Sequence, residues 1–301
     1  MPSWIWIPIT VAAAAFQTAR NAFQRDLVAS AGPWGATLVR FAFGLPFALA
    51  WLAAATVLDA PTAAIIDAPR FLVASAIGAL AQVLATASLL VSMRRASFAI
   101  GTAFQQSSLP FSAFVGIALG DRLSWLGWAG VAVATVGLAI LSWPQGKGDD
   151  QGGDRLSAAA FGLGAGAAFG VSINAFRIAA HAAAPADPVF AAALAVVFVQ
   201  FLQTAGLGFW LVWRDPRALS AALKAGPRAW GAGLCGAVAS VGWFTAAALA
   251  PAAAVRAVGV VDIPMAAFAG RRLFAERLGW REIFGAVLTA LGVIATAFAI
   301  S

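Results

Sequence analysis

One carboxylate in this sequence stands where carboxylates are expensive. Asp262, in Val260-Val261-Asp262-Ile263-Pro264, lies well inside an apolar run that begins at 252, about 15 Å along it at ~1.5 Å per helical residue. A charge at that depth in hydrocarbon costs several kcal/mol and faces a cavity or a partner. Two chemistries fit such a group. It could hold a substrate ammonium or carry a proton, or it could form a structural ion pair with an arginine such as Arg177 or Arg256. Arg20, Arg40, Arg177 and Arg256 also fall within apolar runs, and for Arg20, Arg40 and Arg256 the simplest expectation is a side chain that snorkels to the interface.

Polar side chains that could line a solvated path cluster elsewhere. Gln105-Gln106-Ser107-Ser108-Leu109 is the most polar stretch inside any apolar run and is followed by Pro110, as Asp262 is by Pro264. A mid-helix proline removes an amide and frees the carbonyl four residues earlier, here Gln106 and Val260, and such breaks are tolerated where they face protein or a cavity. Helix-to-helix hydrogen bonding is the alternative reading of the same polar stretch. Gln17, Asn21, Gln82 and Asn174 extend the polar set, with Gln17, Asn21 and Gln24 on one helical face. Trp243 is the tryptophan placed mid-run, where it either lines a cavity or packs between helices.

Other chemistries lack their residues. There is no HExxH, G-x-S-x-G or Walker loop, one histidine (His181, at a run's end), one cysteine (Cys235), and both lysines (Lys147, Lys224) lie in connections. The sequence therefore argues against an enzyme and calls for no cofactor and no metal.

The elements that must carry these groups are membrane helices. Of 301 residues 62% are hydrophobic and 10% charged, with a mean hydropathy of +0.88, which no water-soluble surface allows. Ten apolar runs of spanning length crowd the chain, at 4–27, 34–58, 70–93, 97–119, 123–143, 157–181, 188–213, 228–250, 252–274 and 279–300. The opening MPSWIWIPIT lacks a basic n-region and a cleavage site, so the first run is expected to stay as a helix. Most of the 12 tryptophans fall near run ends, as interfacial anchors do. Thirty glycines suit close helix packing in lipid, and the strand alternation of a β-barrel is absent. The fold class expected is an all-α polytopic membrane protein.

The two halves resemble each other. Pro110 aligns with Pro264 and Phe114 with Phe268; after one inserted residue, Asp121-Arg122-Leu123 aligns with Glu276-Arg277-Leu278, Trp125 with Trp280, Gly130 with Gly285 and Gly137 with Gly292. Ala14–Phe23 (AAFQTARNAF) and Ala167–Phe176 (AAFGVSINAF) also match, pairing Asn21 with Asn174. This divides the chain into a repeat at 1–143, a Gly- and Asp-rich join at 144–156 and a repeat at 157–301. Five helices per repeat is odd, so the second repeat must enter the membrane inverted. Inverted repeats argue for a secondary transporter working by alternating access, with its site near the midplane.

Thirteen Lys and Arg flank the connections after odd-numbered runs, against Arg70 and Arg122 on the other side. The positive-inside rule then places both termini outside. One acid, arginines, amides and aromatic rings suit a zwitterion, so the expected partners are amino acids and the lipid bilayer, with no nucleic acid. A closed pair of five-helix repeats can work as a monomer. The alternatives are a multidrug or other small-metabolite exporter, or a membrane sensor that transports nothing.

Each repeat closes with a proline, about eleven residues, an acidic-Arg-Leu triplet and a glycine-bearing run. That pattern resembles the drug/metabolite transporter superfamily in its EamA-like branch, over the whole chain, and within it the YddG-type exporters of aromatic and other neutral amino acids. The resemblance implies a multi-pass protein of a bacterial inner membrane, with runs one, three, four, six, eight and nine around a central cavity. It implies Gln17, Gln82, Ser107, Ser108, Phe169, Trp243 and Asp262 as lining residues, beside Asn21, Gln105 and Asn174 from the polar inventory. The chain departs from such relatives in having no tyrosine. Many of them hold both termini in the cytoplasm, the reverse of the charge count.

Overall fold

The computed structural model describes residues 4–58, 65–111, 114, 124–142, 151–184, 187–249, 255 and 258–299. Among them every regular element is a helix: α1 (Trp6–Ala42), α2 (Leu45–Leu58), α3 (Ala68–Arg95), α4 (Phe98–Gln105), α5 (Trp125–Ser142), α6 (Gln151–Ala183), α7 (Pro188–Arg214), α8 (Pro216–Leu223), α9 (Pro227–Leu249), α10 (Asp262–Leu273) and α11 (Trp280–Ala299). Five helical stretches are long and apolar enough to cross a membrane: Trp6–Val57, Ala68–Arg95, Arg155–Ala183, Val189–Arg214 and Pro227–Ala246. Their outer faces are apolar, with Val57 85% and Phe209 68% exposed, and Trp125, Trp213 and Trp280 stand out near helix ends. A water-facing surface would not carry that pattern.

The first stretch is broken within its length. Gly32 adopts φ 64° and ψ 174° inside α1, and Pro33 follows it. The chain thus bends where the sequence separates its first two runs, and the two arms, 6–31 and 33–58, are each about 39 Å long. Gln24 staples the bend, its Nε2 donating to the Ala36 carbonyl at 2.9 Å, and Thr37 Oγ1 donates to the Pro33 carbonyl at 2.7 Å. Helix α6 starts at Gln151, within the stretch 144–156 expected as a join.

The chain packs as two compact units, Met1–Val83 with Ser172–Pro251 and Leu84–Val171 with Ala252–Ser301, each drawing on both sequence halves. In the first, α9 lies on α1 through small residues. A Cβ at Gly242 would meet Ala13 Cβ at 2.9 Å, and one at Gly233 would meet the Phe43 backbone at 2.4 Å. Phe71, Ala179, Ala182 and Phe190 form one core and Leu38, Phe41, Leu207 and Leu211 another. Asp67 and Asp215 cap helix starts, accepting from Arg70 N and Ala218 N at 3.1 and 3.0 Å.

In the second unit α5 and α11 run antiparallel with glycines at the crossing. A Cβ at Gly130 would lie 2.8 Å from the Gly292 carbonyl, and one at Gly137 2.7 Å from the Gly285 carbonyl. In the repeat alignment Gly130 corresponds to Gly285 and Gly137 to Gly292, so the two contacts are one contact made twice. Helix α4 begins at Ser97, whose hydroxyl accepts from Ile100 N at 3.1 Å. The Phe98 N–H, one of its orphan donors, is taken by the Glu276 carboxylate at 3.0 Å to each oxygen.

Candidate functional site

Helix α4 stops because of Pro110. With no N–H at 110 the Gln106 carbonyl cannot bond four residues ahead, and the backbone tightens into three-residue turns: Gln106 N to Ala103 O, Ser107 N to Phe104 O and Leu109 N to Gln106 O, at 3.0, 3.0 and 3.2 Å. The same happens before Pro264, where Val261 N reaches Val258 O at 3.2 Å and Ile263 N reaches Val260 O at 3.0 Å. The carbonyls expected to be freed at Gln106 and Val260 are therefore bonded to Leu109 and Ile263. A tight turn costs the chain less than leaving a buried carbonyl bare.

These breaks turn the polar stretch inward. Gln105, Gln106, Ser107 and Ser108 are all buried, as is Asp262 at 1% exposure on the first turn of α10. Gln106 Nε2 donates to Asp262 Oδ1 at 2.6 Å. Gln105 Oε1 and Ser107 Oγ have no hydrogen-bond partner among the described residues. Gly166 of α6 makes room for Ser107, since a Cβ there would fall 1.9 Å from its Oγ. Phe169 on α6 is buried, Pro110 is buried and Pro264 is exposed. This centre, with its one acid, amides and hydroxyls, can accept from a cationic or hydroxylated ligand and can hold a proton.

The first unit has its own polar interior. Arg20 donates Nε and Nη2 to Asn21 Oδ1 at 3.1 and 2.6 Å. Gln203 Nε2 donates to Gln82 Oε1 at 2.8 Å and to the Ala79 carbonyl at 3.3 Å. Both amide atoms of Gln200 lack a hydrogen-bond partner among the described residues, although the side chain is buried. Gln17 is buried too, while Gln82, Asn174 and Trp243 are half-buried.

The ten candidates thus divide evenly: Gln17, Asn21, Gln82, Asn174 and Trp243 fall in the first unit, Gln105, Ser107, Ser108, Phe169 and Asp262 in the second. Arg177 is exposed, Arg256 and Asp121-Arg122-Leu123 lie outside the described residues, and Phe114 is exposed.

Arg20 and Arg40 correct an expectation. Neither reaches an interface: their exposures are 1% and 3%, and Arg20 ranks among the largest fully buried side chains. The reason lies in α9, where Gly236 leaves a flat place on which both side chains rest. The glycines of Gly231–Gly236 were the available signal, readable only once the facing helix is known.

No family model matches the chain, and no curated protein matches it. Among solved structures, a crystal structure of a protein 16% identical covers 97% of this chain and 97% of its own, with a TM-score of 0.54. At that identity the likeness shows a shared fold alone.

Proposed function

We propose that the chain is a secondary transporter of a bacterial inner membrane, built as ten membrane helices in two inverted five-helix repeats, which exports aromatic and other neutral amino acids by alternating access. The observation that carries this is the matched pair of proline breaks, one of which delivers Gln106 to Asp262. Broken helices with a buried ionisable group beside the break are how transporters present polar groups inside lipid. The two-way glycine contact of α5 and α11 supports the repeat, because an isologous contact is what a two-fold between halves produces. Buried arginines, amides and one acid supply recognition for both ends of a zwitterion, and Phe169 and Trp243 for an apolar side chain. These roles require no enzyme chemistry, and the small-molecule partner is an amino acid.

Export of lipophilic cations by the same fold is the second reading, favoured by Asp262, the one acid well inside a run rather than at its end. Counterflow of radiolabelled amino acids into liposomes holding the purified protein separates the two. Aromatic and branched amino acids are expected to exchange, and lipophilic cations are not expected to compete. Exchange of the cations alone would move the assignment to the second reading, and no flux of either would remove the transporter reading.

A further inference from the structure

Several helix ends of the second unit meet at one place. Ser92 Oγ, near the end of α3, donates to the Ala158 carbonyl of α6 at 2.8 Å, and Arg95 Nη1 donates to Ser157 Oγ. The Phe98 ring, at the start of α4, lies 5.5 Å from that of Phe274, just past the end of α10. The Glu276 carboxylate takes the Phe98 N–H, and Arg155 of α6 pairs with Glu282 in the first turn of α11. The ends of α3 and α10 and the starts of α4, α6 and α11 therefore share one rim.

That rim is strongly basic. Seven arginines belong to these segments, against two acids, Glu276 and Glu282, among the described side chains. Both acids are engaged, Glu276 in capping α4 and Glu282 in holding Arg155 and accepting from Gly279 N at 2.8 Å. With Lys147 and the three aspartates of 144–154 counted from the sequence, basic residues still outnumber acids eight to five. Arg94, Arg271, Arg277 and Arg281 are exposed and form no hydrogen bond or ion pair among the described residues. Arg272 is exposed too, its guanidinium carbon 5.5 Å from the centroid of the Phe268 ring.

The position of the rim along the helices decides what such charges meet. Of the stretches long and apolar enough to cross a membrane, Ala68–Arg95 ends here and Arg155–Ala183 begins here. The arginines therefore stand at headgroup level, between hydrocarbon and bulk water. Leu273 and Trp280 are exposed in the same segments, Trp280 at 80%. An acidic partner in water would match the arginines alone, whereas the edge of a bilayer offers phosphate to the guanidinium groups and acyl chain to the indole.

We propose that this rim of the second unit is a docking surface for anionic phospholipid headgroups, with Arg94, Arg271, Arg277 and Arg281 on the phosphates and Leu273 and Trp280 against the upper acyl chains. A lipid surface is fluid and arranges its phosphates around the side chains it meets, so basic residues at its edge recruit anionic lipid without a preformed pocket. The inference needs a membrane protein and no particular solute, and so stands apart from the transport reading.

The test is titration of the purified full-length protein, in a neutral detergent, with phosphatidylglycerol and phosphatidylcholine of identical acyl chains, each carrying a fluorophore on one chain. Phosphatidylglycerol is expected to bind at least about tenfold more tightly. The triple variant Arg271→Gln/Arg277→Gln/Arg281→Gln is expected to lose most of that preference. Removing three other exposed cations, as Arg214→Gln/Arg217→Gln/Lys224→Gln in the first unit, is expected to leave it intact. Equal affinity for the two lipids would overturn the docking surface. So would equal losses in the two triple variants, which would trace the preference to net charge. If the first variant fails to fold, the unmodified protein decides the matter: raising the salt from about 0.05 to about 0.5 M should cut the preference severalfold by screening. A preference indifferent to salt would overturn the proposal. Glycerol phosphate competing as well as the intact lipid would do so too, because Leu273 and Trp280 would then contribute nothing.

Discussion

The carboxylate of Glu276, in the second acidic-Arg-Leu triplet, accepts the backbone N–H of Phe98, at the start of a helix in the first sequence repeat. The acid of the triplet thereby makes a charge-assisted helix cap between segments 178 residues apart in the sequence. Gly270 is tied to the same device, since a Cβ there would lie 2.6 Å from Glu276 Oε2. Replacing Glu276 with Ala removes an acceptor worth about 1 kcal/mol, with a dipole contribution on top. A lowered midpoint on SDS titration is the expected outcome, partly restored by Glu276→Gln. A midpoint equal to that of the unmodified protein would show that water replaces the cap at no cost.

The glycine crossing of α5 and α11 makes a sharper prediction. A Cβ at Gly292 would sit 2.2 Å from Ala134 N, a backbone atom that cannot swing aside. Gly292→Ala should therefore destabilise by about 1–3 kcal/mol, the usual range for overpacking. Gly137→Ala, facing Thr289 N at 2.5 Å, should do the same. Because the two sites share one crossing, the double variant should cost less than the two singles together. Strict additivity in the measured midpoints would contradict a shared contact.

How much of this the sequence discloses depends on residue type. Asp262, Pro110 and Pro264 are conspicuous because an acid or a proline inside an apolar run has few innocuous uses, and the structure puts each at a helix break. Arg20 and Arg40 are not, because an arginine near a run's end reads as a snorkel until the facing glycine is known. The fate of the two carbonyls before the prolines was likewise hidden. It depends on whether the backbone can tighten by one residue, a local geometric choice that leaves no mark on composition.

The bond from Gln106 to Asp262 predicts a functional asymmetry. Gln106→Leu removes the donor and leaves a buried carboxylate short of a bond worth about 1.5–3 kcal/mol, so stability and counterflow should both fall. Asp262→Asn keeps a polar partner for Gln106 and should spare the fold. If Asp262 is the coupling site, this variant should lose flux driven by a pH gradient while keeping exchange at equal pH. A gradient response unchanged from the unmodified protein would remove Asp262 from the coupling path.

The bend in α1 separates backbone strain from packing. At φ 64° and ψ 174°, Gly32 lies in a region that only glycine occupies without penalty. Yet a Cβ there would meet nothing within 4 Å, so crowding cannot be the cost of a substitution. Gly32→Ala should destabilise by about 1–3 kcal/mol from conformation alone. Gly206, inside α7, also has open space around its Cβ but no positive φ, and Gly206→Ala should stabilise by up to about 1 kcal/mol through helix propensity. Opposite shifts in the SDS midpoint are the expected result for two substitutions of the same chemistry. Equal shifts would mean that the bend at Gly32 relaxes into continuous helix, which would break the Gln24 staple to Ala36 and fuse the two arms into one rod too long for a bilayer.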